Sequence, residues 1–272
     1  MAQQKLKVNN NQALIYMLKN IFLILSLSLL SACASVPGGP TEGDPFESYN
    51  RAMFSFNDGL DTYFLKPVAE GYDAVLPNPI KTGISNFFSN LGDIFVILND
   101  LLQFKFTQAL EDTGRFIFNS TIGLYGLIDV ATPMGLVKHN EDFGQTLATW
   151  GVADGPYIVL PFFGSRTLRD TTDLIVEPQV NPLYDIEKDE TLYGAIFLQT
   201  IDIRYKLLKA SNIAEQAAVD KYSFVRDAYL QHRNNLIHDG NPPEELLLPK
   251  SNAEDLELEN ALELELEKEL GL

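Results

Sequence analysis

Asp44-Pro-Phe-Glu-Ser-Tyr-Asn-Arg-Ala-Met-Phe-Ser-Phe-Asn57, continued to Phe64, is the stretch that decides the fold class of this 272-residue chain. Asp44 is placed as an N-cap, Pro45 suits the first helical position and Glu47 follows as an acid, a variant of the capping box. Phe46, Tyr49, Met53, Phe56, Leu60 and Phe64 then recur at spacings of three or four. That period puts an aromatic stripe on one helical face until Lys66-Pro67 interrupts it. Such a stripe packs a core or meets lipid, and Phe54 widens it beyond what a single contact requires.

Downstream, the pattern stays helical. A second short helix over 68–76 ends at Pro77-Asn78-Pro79, where Asn78 caps a third helix whose stripe is Ile80, Ile84, Phe87 and Leu91. Ile94-Phe-Val-Ile-Leu98 and Leu101-Leu102 enclose only Asn99 and Asp100, so this helix is apolar on nearly every side and is either buried or lipid-facing. A helix over 108–121 leads into residues 122–137, which hold one charge, Asp129, with three Gly and one Pro. An exposed loop is ordinarily polar, so this hairpin is either a buried plug in the core or a mobile apolar gate at a lipid surface. Residues 157–161 read as extended chain outside any sheet, and Ser165 as a helix N-cap. Helices over 190–209 and 222–237, the second capped by Asp220, complete an all-α chain.

Upstream, residues 1–32 carry Lys5, Lys7 and Lys19, no acid, and an apolar run over 21–30, which is the pattern of a secretory signal. Leu30-Ser-Ala-Cys33 is similar to the processing box of bacterial lipoproteins, which makes Cys33, the only Cys, the expected lipidation site. An ordinary signal peptide with an incidental Cys33 is the alternative. Ala34, where an Asp often retains such proteins in the inner membrane, implies passage to the outer membrane, with the protein lipid-anchored on the periplasmic side. Two or three acyl chains hold durably where one holds marginally. The expected organisation is a signal over 1–32, a lipidated tether over 33–43, a helical domain over 44–240 and an acidic, solvated tail over 241–272.

With 37 acidic and 20 basic residues the net charge is −17. That balance argues against nucleic-acid partners and against attraction to anionic headgroups as the source of membrane binding. One Cys excludes a disulfide framework and a thiolate zinc cluster. His139, His232 and His238 form no metal-ligand motif, Ser165 lacks the second Gly of a nucleophile elbow, and no Gly-rich phosphate loop is present. The expectation is a protein without cofactor or catalytic constellation, not an enzyme.

The opening stretch 44–57, together with Gly83-Ile-Ser-Asn-Phe-Phe-Ser-Asn-Leu91, Phe143-Gly-Gln-Thr-Leu147, Gly155-Pro-Tyr-Ile-Val-Leu-Pro-Phe-Phe-Gly-Ser-Arg-Thr-Leu-Arg-Asp170 and Arg226-Asp-Ala-Tyr-Leu-Gln-His-Arg233, closely resembles the MlaA (VacJ) family of outer-membrane lipoproteins. The resemblance implies a ring of mostly amphipathic helices with a central channel, lying in one leaflet of the outer membrane beside trimeric porins. It implies removal of phospholipid mislocalised to the outer leaflet and its transfer to a soluble periplasmic carrier, maintaining lipid asymmetry. It also implies that the hairpin lies against the channel, which makes Gly123, Leu124, Tyr125, Gly126, Leu127, Asp129, Pro133 and Gly135 the candidate gate. Phe54, Phe56, Phe64 and Trp150 are the candidate membrane contacts, with Tyr49 and Tyr125 as further interfacial markers. The physics agrees with such a device: lipid tails need an apolar surface, while exposing a charged headgroup to hydrocarbon costs several kcal/mol or more. The alternative is an adaptor lipoprotein that stabilises porins and has no lipid path.

Overall fold

The computed structural model describes residues 44–243. Cys33, the signal, the tether and the tail beyond residue 243 lie outside the described residues. The fold is all-α apart from one small hairpin. Its elements are α1 (Glu47–Leu60), a π-helical turn (Asp61–Leu65), α2 (Lys66–Val75), α3 (Asn78–Leu102), α4 (Phe106–Thr121), α5 (Phe143–Thr149), β1 (Tyr157–Leu160), β2 (Gly164–Thr167), the short α6 (Asp173–Val176), α7 (Asp189–Ala217) and α8 (Lys221–Ile237).

Lys66-Pro67 does not interrupt the first helix. The π-helical turn joins α1 to α2 without a break, and its wider winding accommodates a proline that lacks an N–H. Arg204 of α7 holds this turn through Asp61, with Nε and Nη2 donating at 2.6 and 2.8 Å. Asp44 is likewise not a cap: the cap position is Phe46, without a side-chain bond. Its carboxylate is wholly buried instead, accepting from Asn50 Nδ2 at 2.8 Å and from the Tyr222 hydroxyl. Asn78 opens α3 but makes no capping bond, the cap position being Pro77. Asp220 caps α8 as its sequence suggests, accepting from the Tyr222 amide at 3.2 Å.

Of the extended stretch 157–161, residues 157–160 do enter a sheet. β1 and β2 pair antiparallel from Tyr157 opposite Thr167 to Leu160 opposite Gly164, and Ser165 lies in β2 with its hydroxyl 2.7 Å from that of Tyr157, not at a helix start. Two amides seven residues apart on α1 cover the free edge of β1. Asn50 donates to Tyr157 O at 3.1 Å and accepts from Val159 N at 2.8 Å. Asn57 donates to Leu160 O at 2.9 Å and accepts from Phe162 N at 2.8 Å. A side-chain carboxamide carries both a donor and an acceptor, so it can replace a neighbouring strand.

The contacts close on themselves. α1 meets β1, β1 meets β2, and β2 meets the turn 169–172. That turn meets α5, α5 meets α3, α3 meets α7, α7 meets α2, and α2 returns to α1 through the π-helical turn. The elements therefore form a ring, with α4 laid along α3 and α8 bracing α5, β2 and α7.

Burial in this ring is inverted. Among the described residues, buried polar and charged side chains outnumber buried apolar ones, while Phe56, Phe64, Phe104, Leu110, Tyr125 and Trp150 stand exposed with many other large apolar groups. The apolar core is small: Tyr157, Val159 and Tyr222, with Met53, Phe54, Tyr229 and Leu230 against them. A water-soluble fold hides its apolar groups and shows its charges. Among the described residues no helix is long and apolar enough to cross a membrane.

Candidate functional site

The segment 122–137 turns back on α3 and α4, and polar groups hold its backbone. Asn119 of α4 accepts from the amides of Val130 and Ala131 at 2.9 and 3.0 Å and donates to Asp129 at 3.2 Å. Arg115, one turn earlier and buried, donates to Leu136 O at 2.7 Å, Thr132 Oγ1 at 3.0 Å and Asp129 Oδ2 at 3.3 Å. Partial burial would raise the Asp129 pKa, but hydrogen bonds from the Thr132 hydroxyl and amide, with the Arg115 charge, outweigh it and hold the carboxyl down at about 2. Asp129 is thus the ionised pivot of the hairpin.

The tip rests on α3. Gly126 has φ +85°, and a Cβ there would sit 2.6 Å from Cβ of Asn90, so only glycine permits this approach. Asn90 donates to Ser120 Oγ at 2.8 Å, and Asn86 donates to Leu127 O at 3.3 Å. Leu124 and Tyr125 both have positive φ, 54° and 59°, a conformation that costs L-residues roughly 1–2 kcal/mol each. The side chains point outward: Leu124 is 58% exposed and Tyr125 81%. That removes the buried-plug reading, because what is pinned is the backbone and not the apolar side chains.

The other sequence candidates separate. Phe56, Phe64 and Trp150 are half exposed, and the Trp150 indole N–H donates to Leu102 O at 3.1 Å. Phe54 turns inward and meets the Tyr222 ring edge-on at 5.7 Å, so its widening of the stripe serves the core. Tyr49 is half-buried, whereas Pro133 and Gly135 form the exposed far side of the hairpin.

Beside the hairpin seat, α3 forms one wall of an open cleft of about 380 Å³. Ser89, Gly92, Phe95 and Val96 line that wall, with Lys138, Asn140, Asp142, Arg166, Asp173 and Glu177 around the remainder. Lys138 pairs with buried Asp93, and burial lowers its ammonium pKa to about 8. Asp142 would be raised by burial, but its bond with Arg233 prevails and holds it low; Arg233 also reaches Asp170 at 2.8 Å. Burial, and then the neighbouring Asp142 charge, push Asp173 upward. Asp173 accepts from the amides of Phe143 and Gly144 at 2.8 and 3.1 Å, with Arg166 3.8 Å away. The arrangement offers a polar lining of mixed charge. His139 lies against Asp112, and His238 bonds Asn234 O at the end of α8. Among the described residues no cluster is arranged for a metal ion.

Sequence reasoning missed Arg115, Asn119, Lys138, Arg166, Asp173 and Glu177. Only Arg115 and Asn119 carried a signal: polar side chains four apart on a helix that leads directly into an apolar loop.

The chain is similar to known proteins over most of its length. The family model described as MlaA lipoprotein matches residues 42–236. The intermembrane phospholipid transport system lipoprotein MlaA of Escherichia coli is 36% identical over 80% of this chain and 88% of its own length. Its counterpart in Haemophilus influenzae is 30% identical over 80% and 89%. An uncharacterised protein of Rickettsia typhi is 36% identical over 76% of this chain and 82% of its own. A solved structure reported under the structural basis for maintenance of bacterial outer membrane lipid asymmetry aligns with TM-score 0.64 and 34% identity, covering 71% of this chain and 98% of the other.

Proposed function

The chain belongs to the MlaA lipoprotein family, and from that premise we propose that it takes phospholipid mislocalised in the outer leaflet of the outer membrane through its polar interior and hands it to a soluble periplasmic carrier. The observation that carries this reading is the inverted burial of a closed ring: charged and amide side chains inside, aromatic and aliphatic ones outside. Such a body rests among acyl chains on its outer faces and offers a headgroup a hydrated way through one leaflet. Lipidated Cys33 holds it on the periplasmic side. The hairpin 122–137 is the gate, its exposed Leu124, Tyr125 and Leu127 meeting acyl chains while Arg115 and Asn119 keep its base fixed. The protein acts as a conduit and not as a catalyst, and trimeric porins fit its apolar rim as partners.

The test is reconstitution of the lipidated chain in vesicles carrying a labelled phospholipid, with a lipid-binding acceptor outside. Bound phospholipid after purification and transfer to the acceptor are expected. A chain that carries no lipid and transfers none, yet raises the thermal stability of a trimeric porin, overturns transport in favour of the adaptor.

A further inference from the structure

Resting on the transport reading, we propose that the cleft beside the hairpin is a subsite for a zwitterionic, amine-bearing phospholipid headgroup, with Arg166 receiving the phosphate and Glu177 the ammonium. The other charges of the cleft are already matched within the protein. Lys138 is paired with Asp93, and Asp142 with Arg233. Asp173 spends its acceptors on two backbone amides, and burial drives it toward its neutral form.

What remains is one cation and one anion with capacity to spare. Arg166 gives one hydrogen bond, to Asp170 O at 3.0 Å, and its pairing with Asp173 is long, at 3.8 Å, with a quarter of the side chain exposed. Among the described bonds the Glu177 carboxylate accepts only from Asn181 Nδ2, at 3.1 Å. A guanidinium suits a phosphate, and a carboxylate suits a primary ammonium. A headgroup carrying phosphate alone would satisfy Arg166 and leave Glu177 repelling it, so this pair discriminates by repulsion as well as attraction. The site's position fits its use, because Ser89 and Gly92 of its wall lie on the helix that seats the hairpin tip at Asn90.

The experiment is transfer from vesicles of mixed phosphatidylethanolamine and phosphatidylglycerol by the full-length lipidated chain. Wild type is expected to favour the ethanolamine lipid, and Glu177→Gln to reduce that preference about fivefold, as for one charge-assisted contact in an open site. Ser89→Arg, an exposed substitution on the rim, is expected to shift the preference toward phosphatidylglycerol and requires no loss of folding to be read. Transfer with no headgroup preference, or a preference that neither variant moves, overturns this subsite while leaving transport standing. Absence of transfer for every lipid overturns the transport reading and the subsite with it. Inhibition by free phosphoethanolamine at the concentration where lipid saturates would make a soluble metabolite the recognised species and overturn the lipid assignment.

Discussion

Asp100 lies wholly buried in α3, and neither of its carboxylate oxygens has a hydrogen-bond partner. Burial first, then the nearby carboxyls of Asp112 and Glu141, push its pKa up to about 7. In the unfolded chain an aspartate titrates near ~3.9, so between that pH and about 7 the folded state holds a proton that the unfolded state has lost. The contribution to stability is therefore complete below about pH 4 and declines as pH rises toward about 7. Asp100→Asn removes the charge from the equilibrium. The variant is expected to lose less stability than wild type between pH 5 and pH 8, read as a smaller shift of the denaturation midpoint, and to be more stable than wild type at pH 8 by about 1–3 kcal/mol. Equal destabilisation at both pH values would contradict this account. The sequence shows Asp100 inside an apolar run but not its consequence: the partner carboxyls come from α4 and from the loop after the hairpin, and periodicity carries no information about which charges meet across elements.

At the scale of the element, helix positions were legible and their orientation was not. α8 ends where its pattern ends, because Asp220 and the Asp239-Gly240 turn are local signals. Pro67 misleads because a π-helical turn absorbs it, and β1 is legible as extended chain but not as part of a sheet, because asparagines of a distant helix complete its other edge. The hairpin shows the same division. Its composition marks it as unusual, but only the Arg115 and Asn119 bonds tell which part is fixed. Leu127 is exposed, so Leu127→Asp is expected to change stability by no more than about 0.5 kcal/mol while altering the rate of lipid transfer severalfold. Unfolding with no separable effect on transfer would contradict the gate. Gly126→Ala is expected to lift the tip from Asn90, seen as faster amide exchange over residues 124–129 with the exchange of α3 unchanged; protection retained at the tip would contradict the seat.

For the whole molecule, the inverted burial sets how the protein behaves apart from its lipid modification. Exposed aromatic and aliphatic groups run from Phe46, at the cap of α1, to Phe224 in α8, while the interior is rich in paired charge. A variant with Cys33 replaced, made without its acyl chains, is expected to partition into detergent micelles and neutral vesicles through apolar area alone. Salt should barely change this, since a chain of net charge −17 gains nothing from anionic headgroups. A clean monomer in plain buffer would contradict the proposed placement in a leaflet.

The two asparagines of α1 have a consequence for encounters between copies of the chain. A greasy polypeptide crossing an aqueous compartment is at hazard wherever it presents an unsatisfied strand, since that border can template stacking of one molecule on the next. Asn50 and Asn57 occupy those sites on β1 with side-chain amides, which offer no onward backbone for another molecule to extend. That border of β1 is thereby closed to strand addition.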